Sequence, residues 1–146
     1  MALQRMDHTS IVVNDLAAAQ AFFIELGMEL EGEMPIEGRW VDQVVGLDGV
    51  RVDMAMLRTP DGHSRLELTK FHKPALANTE PPNTPPNTLG LSNIMFAVDD
   101  IDDAIARLRT HGATLVGEVV RYEDSYRLCY LRGPAGVIIA LAEPLS

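Results

Sequence analysis

Cysteine is almost absent from this sequence, basic side chains are scarce, and no long apolar run occurs. The single cysteine, Cys129, cannot close an intrachain disulfide, so the fold must rest on an apolar core. In its apolar surroundings Cys129 reads as an inert buried thiol. Lys and Arg number 12 against 21 Asp and Glu, a net charge of −9. That balance argues against nucleic-acid binding, which needs phosphate-neutralising cations. It is compatible with a cationic ligand and otherwise serves solubility. No apolar stretch approaches the roughly 18–20 residues of a membrane span, and the first residues lack the basic-then-apolar plan of a secretory leader. A cytoplasmic location with no membrane partner is therefore expected. Gly-rich phosphate loops, nucleophile elbows and paired-cysteine zinc spacings are missing too.

What is present is a repeat. At 146 residues, 47% of them apolar, the chain fits one ordinary domain or two small halves sharing a core. The stretch Asp7 to Leu16 has an echo at Ser92 to Ile101, offset by the 85 positions that separate His8 from Asn93. The same offset links Asp15 to Asp100, Ala19 to Ala104, Phe23 to Leu108 and Gly27 to Gly112. A period this long means two paired modules rather than a solenoid.

Residues 7–13 alternate as a strand, with Thr9, Ile11 and Val13 on one face and His8, Ser10 and Val12 on the other. Asn14 or Asp15 then caps a helix from Leu16 to Leu26 that Gly27 stops. Strands are expected at Met28–Glu33, Val50–Leu57 and Ser64–Phe71, with an irregular stretch from Met34 to Gly49. Residues 72–90 hold five of the nine prolines and read as an extended surface arm. In the second copy a strand at Leu91–Val98 precedes a helix from Ile101 to His111, capped by Asp99 or Asp100. Strands follow at Thr114–Arg121, Tyr126–Arg132 and Val137–Glu143. The expected organisation is a βαβββ module at 1–71, a Pro-rich linker at 72–90 and a second βαβββ module at 91–146, forming one structural domain of the α+β class.

Tandem βαβββ modules whose first strand reads His-x-x-apolar-x-Val-x-Asp-Leu resemble the vicinal oxygen chelate superfamily. That group holds glyoxalase I, extradiol dioxygenases, fosfomycin-resistance enzymes and bleomycin-resistance proteins, and the chain is most similar to its uncharacterised bacterial glyoxalase-like members. The resemblance implies sheets curled into a half-barrel trough, with helices on the convex side and a ligand site within. It also implies four metal positions, which fall here on His8, Glu67, Asn93 and Ala140. Transition metals need three or four strong donors. His8 and Glu67 supply two, while Asn93 and Ala140 stand where the family has His and Glu. A divalent metal (Zn, Ni, Mn or Fe) is thus expected to be weakly held or absent, and a dioxygenase is disfavoured.

Glu67 facing a partly apolar trough is either balanced by Arg65, by His8 or by solvent, or it is a general base. A His8–Glu67 acid–base pair is the catalytic expectation. Candidate ligand contacts are Asn93, Tyr126, Tyr130, Arg127, Trp40 and Arg65, with Met54, Met56 and Met95 as adaptable lining. Two functions stay open: a glyoxalase-like lyase or isomerase acting on a small carbonyl or thioester compound, and a drug-sequestering protein of the bleomycin-resistance type. The ligand is a small molecule in both, and a homodimer is expected.

Overall fold

A computed structural model describes residues 2–145. The chain forms two compact units, residues 1–79 and 80–146. The first contains β1 (Thr9–Val12), α1 (Leu16–Leu26), β2 (Glu29–Glu37), α2 (Arg39–Val45), β3 (Arg51–Arg58) and β4 (Arg65–Lys73). Its sheet runs β1-β4-β3-β2, parallel between β1 and β4 and antiparallel elsewhere. The helix begins where the sequence demands. The Asp15 carboxylate accepts from the Ala18 N–H at 2.9 Å, and Gly27 ends the last turn at φ 124°, where a side chain would be strained.

Helix α1 packs on β3 and β4, and the residues aimed at it are buried. Phe22, Phe23, Leu57, Leu66 and Leu68 make this core, with Ile11 and Val13 of the first strand segment close to fully buried. Because strand side chains alternate, the opposite sheet face carries His8, Ser10 and Val12, then Glu67 and Thr69, then Met54 and Met56.

The stretch expected to be irregular is ordered. Strand β2 continues to Glu37, and Arg39–Val45 forms a short helix between Gly38 and Gly46. Val41 of that helix packs with Val50 and Val52, and Ile36 and Phe71 complete the cluster. The Asp42 carboxylate accepts from the N–H groups of Gly49 and Val50 at 3.0 and 2.8 Å, tying the loop back to the helix. Two turns of helix are too short for periodicity to reveal, so glycines at both ends read as loop.

The second unit contains β5 (Ile94–Ala97), α3 (Ile101–Arg109), β6 (Thr114–Leu115), β7 (Val120–Tyr122), β8 (Tyr126–Arg132) and β9 (Ile138–Pro144). Its sheet runs β5-β9-β8-β6, and β7 also pairs with β8. The single strand expected at Thr114–Arg121 is broken in two around Gly117. Asp100 caps α3 through the Asp103 N–H at 3.0 Å, repeating the role of Asp15. Ile101, Ile105 and Leu108 bury against the β9 side, where Ile139 and Leu141 are inaccessible. The architecture is α+β, two βαβββ modules built on mixed sheets with no closed barrel. Among the described residues, no helix is long and apolar enough to cross a membrane.

Candidate functional site

The exposed face of the first sheet gathers the polar groups. Glu67 sits on β4 beside Ser10 of β1, and its side chain is 23% exposed. One oxygen, Oε1, accepts from the Ser10 hydroxyl at 3.0 Å and from the Thr69 hydroxyl at 2.9 Å. The other, Oε2, turns to His8 Nε2 at 3.4 Å, longer than an ordinary hydrogen bond. His8 is 32% exposed, and its Nδ1 lies 2.8 Å from Asp7 Oδ2.

That last contact sets the tautomer. An ionised carboxylate only accepts, so Nδ1 carries the proton, and in the neutral ring Nε2 presents its lone pair toward Glu67. Asp7 is held ionised: the hydrogen bond from His8, then the one from Arg5 at 3.1 Å, pull its carboxyl below the ordinary range. The result is a line of carboxylate, imidazole and carboxylate, flanked by half-buried Met54 and Met56.

Arg65 does not balance Glu67. It pairs with Glu31 at 2.7 Å, at the bulge where β2 slips against β3. Trp40 stands on α2 and is 59% exposed, its indole against Gly38. His72 pairs with Asp53 at 2.8 Å, a partner that sequence order concealed.

In the second unit the two family positions lacking donors are bridged by a phenol. Tyr130 on β8 faces Ala140 on β9, and Met95 of β5 faces Ala140 from the other side. Ala140 is fully buried, and the Asn93 amide donates to Tyr130 Oη at 3.1 Å. Tyr126 lies on the same face at the exposed end of β8. Arg127 points to the other face, where it grips Asp102 of α3 with two hydrogen bonds of 2.8 and 3.0 Å. This fork lowers the Asp102 carboxyl and raises the Arg127 guanidinium, so Arg127 is engaged in holding the helix to the sheet. Cys129 is buried, which pushes its thiol up.

The donor set does not fit a tightly held transition metal. His8 and Glu67 are two donors, and Glu67 Oε1 is committed to hydroxyls. No group of three or more His, Cys, Asp or Glu that could hold a metal ion occurs among the described residues.

Sequence reasoning missed Asp7, Ser10 and Thr69. Ser10 and Thr69 were discoverable, since alternation places them on the face of His8 and Glu67. Alternation over residues 7–13 sets Asp7 on the face opposite His8, whereas in the structure the strand begins only at Thr9 and Asp7 turns back to the His8 ring.

The comparisons with known proteins give the family and the fold. Residues 5–141 match the model of the Glyoxalase/Bleomycin resistance protein/Dioxygenase superfamily. The chain belongs to that superfamily. It is 30% identical to the uncharacterised protein YaeR of Escherichia coli K12, over 98% of both chains. A crystal structure of a glyoxalase family protein from Bacillus cereus matches at TM-score 0.94 and 51% identity, covering 100% of this chain and 97% of that one. An antibiotic binding protein from Streptomyces sp. CB03234, TnmS3, shares the fold at TM-score 0.61 and 22% identity, over 99% and 98% of the two chains.

Proposed function

We infer that the chain is a glyoxalase-like lyase or isomerase that moves a proton next to the carbonyl of a small carbonyl or thioester compound. The observation that supports this most is the Asp7–His8–Glu67 line on an exposed sheet face. Glu67 Oε2 is the base: it takes the proton from carbon while Oε1 stays anchored by Ser10 and Thr69. His8 Nε2 lies within reach of the same proton and passes it on, with the Asp7 carboxylate stabilising the ring as it gains charge. Returning the proton to the adjacent atom completes an isomerisation with no net change in charge. Met54 and Met56 give the substrate an adaptable apolar wall. A divalent metal is not required by this scheme, and any that binds does so weakly.

The experiment is a deuterium wash-in screen by NMR against α-hydroxycarbonyl compounds, thiohemiacetals and acyl thioesters. The expected result is exchange of one class of α-proton, lost in Glu67→Gln. Uniform inertness of every class would overturn the reading.

A second reading is sequestration of a drug without chemistry. Tyr130, Asn93 and Ala140 support it, because they replace the family's donors with an aromatic hydrogen-bonded pair. TnmS3, described as an antibiotic binding protein, has this fold. Micromolar binding of a cationic drug by calorimetry, with no exchange in the screen, favours this alternative. A homodimer accompanies either reading. It is supported by the apolar surface that α2 and its exit expose at Trp40, Val44, Val45 and Leu47.

A further inference from the structure

The second unit holds a cavity of about 260 Å³ that the His8–Glu67 scheme does not use. Its roof is the Pro-rich arm, and its floor is the start of β9 with the turn before it. The arm is seated tightly there. A Cβ on Gly136 would run into the main-chain carbonyl of Pro82, and Gly136 sits at φ 75°, a conformation that disfavours side chains. The wall is therefore formed before any ligand arrives.

Chemically the cavity is unlike the rest of the molecule. In a chain of net charge −9, no acidic side chain lines it, and its one charged residue is Arg132. Arg132 donates from Nη2 to the Thr84 carbonyl at 2.8 Å and from Nη1 to the Gly136 carbonyl at 3.1 Å. These neutral acceptors fix the guanidinium plane without cancelling its charge, and they use two of its five N–H donors. The Thr84 hydroxyl is at hand, while the hydroxyls of Thr88 and Ser92 donate to the Pro85 and Pro86 carbonyls and brace the arm; Pro85, Leu89 and Ile138 supply apolar surface.

We propose that this cavity binds a small organic monocarboxylate, its carboxylate on Arg132 and its apolar body against Ile138 and the arm. One cation already held by two carbonyl oxygens suits a single negative charge and disfavours a phosphate dianion. The volume lies just below the range of about 300–1,000 Å³ usual for small-molecule sites, which keeps the ligand small. Only Asn93 is shared with the candidate residues above, so this binding stands whether or not Glu67 is a base.

The test titrates the full-length protein with benzoate, with neutral benzamide of the same shape, and with inorganic phosphate, following backbone amides by NMR. Benzoate is expected to shift residues 84–93 and 132–138 saturably, with benzamide and phosphate at least about tenfold weaker. Arg132→Gln is expected to lose at least about tenfold in benzoate affinity and Arg132→Lys to retain more of it. Glu67→Gln should leave the titration unchanged. Benzamide binding as tightly as benzoate, or no saturable shift by about 10 mM benzoate, would overturn the proposal without reference to any variant.

Discussion

Glu67 keeps one carboxylate oxygen under two hydroxyls and turns the other toward His8. Such anchoring is useful to a base, because a carboxylate free to rotate spends most of its time misaligned. Ser10→Ala with Thr69→Val should therefore lower turnover about 10–100-fold while leaving substrate affinity nearly unchanged, read as a kcat effect in steady-state kinetics. Asp7→Asn should act more mildly and through His8. It replaces an acceptor-only carboxylate by an amide that can also donate to Nδ1, so the tautomer is no longer fixed. Two-dimensional nitrogen NMR of the His8 ring should show the mixture.

The Asp102–Arg127 fork gives a pH signature. Asp102 has its carboxyl lowered from the ordinary 3.8 by the Arg127 hydrogen bonds. A group lowered on folding contributes stability that is fully present above its unfolded value and fades as pH falls through the folded one. Melting of the wild type and of Asp102→Asn should differ by a constant amount above about pH 5, and the difference should shrink as pH falls below the ordinary carboxylate range.

Among the elements, the capped helices were the most legible in the sequence. The helix about Leu16 to Leu26 was readable, because a Gly follows it and Phe22 and Phe23 mark its buried face, while the sequence left its cap open between Asn14 and Asp15 and the structure gives it to Asp15. Asp15→Ala and Asp100→Ala should each cost about 0.5–2 kcal/mol in chemical denaturation, since each leaves an N-terminal amide without its acceptor. Helix α2 was illegible. It is too short for a period to register, and its order comes from Val41 joining Val50 and Val52 and from Asp42 holding the next loop. The break between β6 and β7 was likewise hidden, because pairing with β8 decides it and pairing is not local. The face of His8 followed from alternation within its strand, and Glu67 beside it followed from the family resemblance. Their distance and the orienting Asp7 did not, because both depend on side-chain rotamers at the edge of the strand.

For the whole molecule, the repeat explains both the fold and the divergence between its halves. Each unit kept the strand, the Asp cap, the helix and the sheet order, all of which folding requires. The sheet face turned away from each helix carries no such demand, and there the first unit holds His8 and Glu67 while the second holds Asn93 and Ala140. The proposed homodimer predicts twice the chain mass in light scattering at micromolar concentration, reduced to the chain mass by Trp40→Glu with Val44→Glu. A monomeric wild type would exclude it.

The proposed chemistry is acid–base transfer by Glu67 without a tightly bound metal. Solvent-deuterium incorporation into the reactive substrate class, measured on chelator-treated protein, tests it most directly. Incorporation should persist in the wild type and fall about 10²–10⁴-fold in Glu67→Gln with melting unchanged. Incorporation that disappears with chelator, or that survives undiminished in Glu67→Gln, would contradict it.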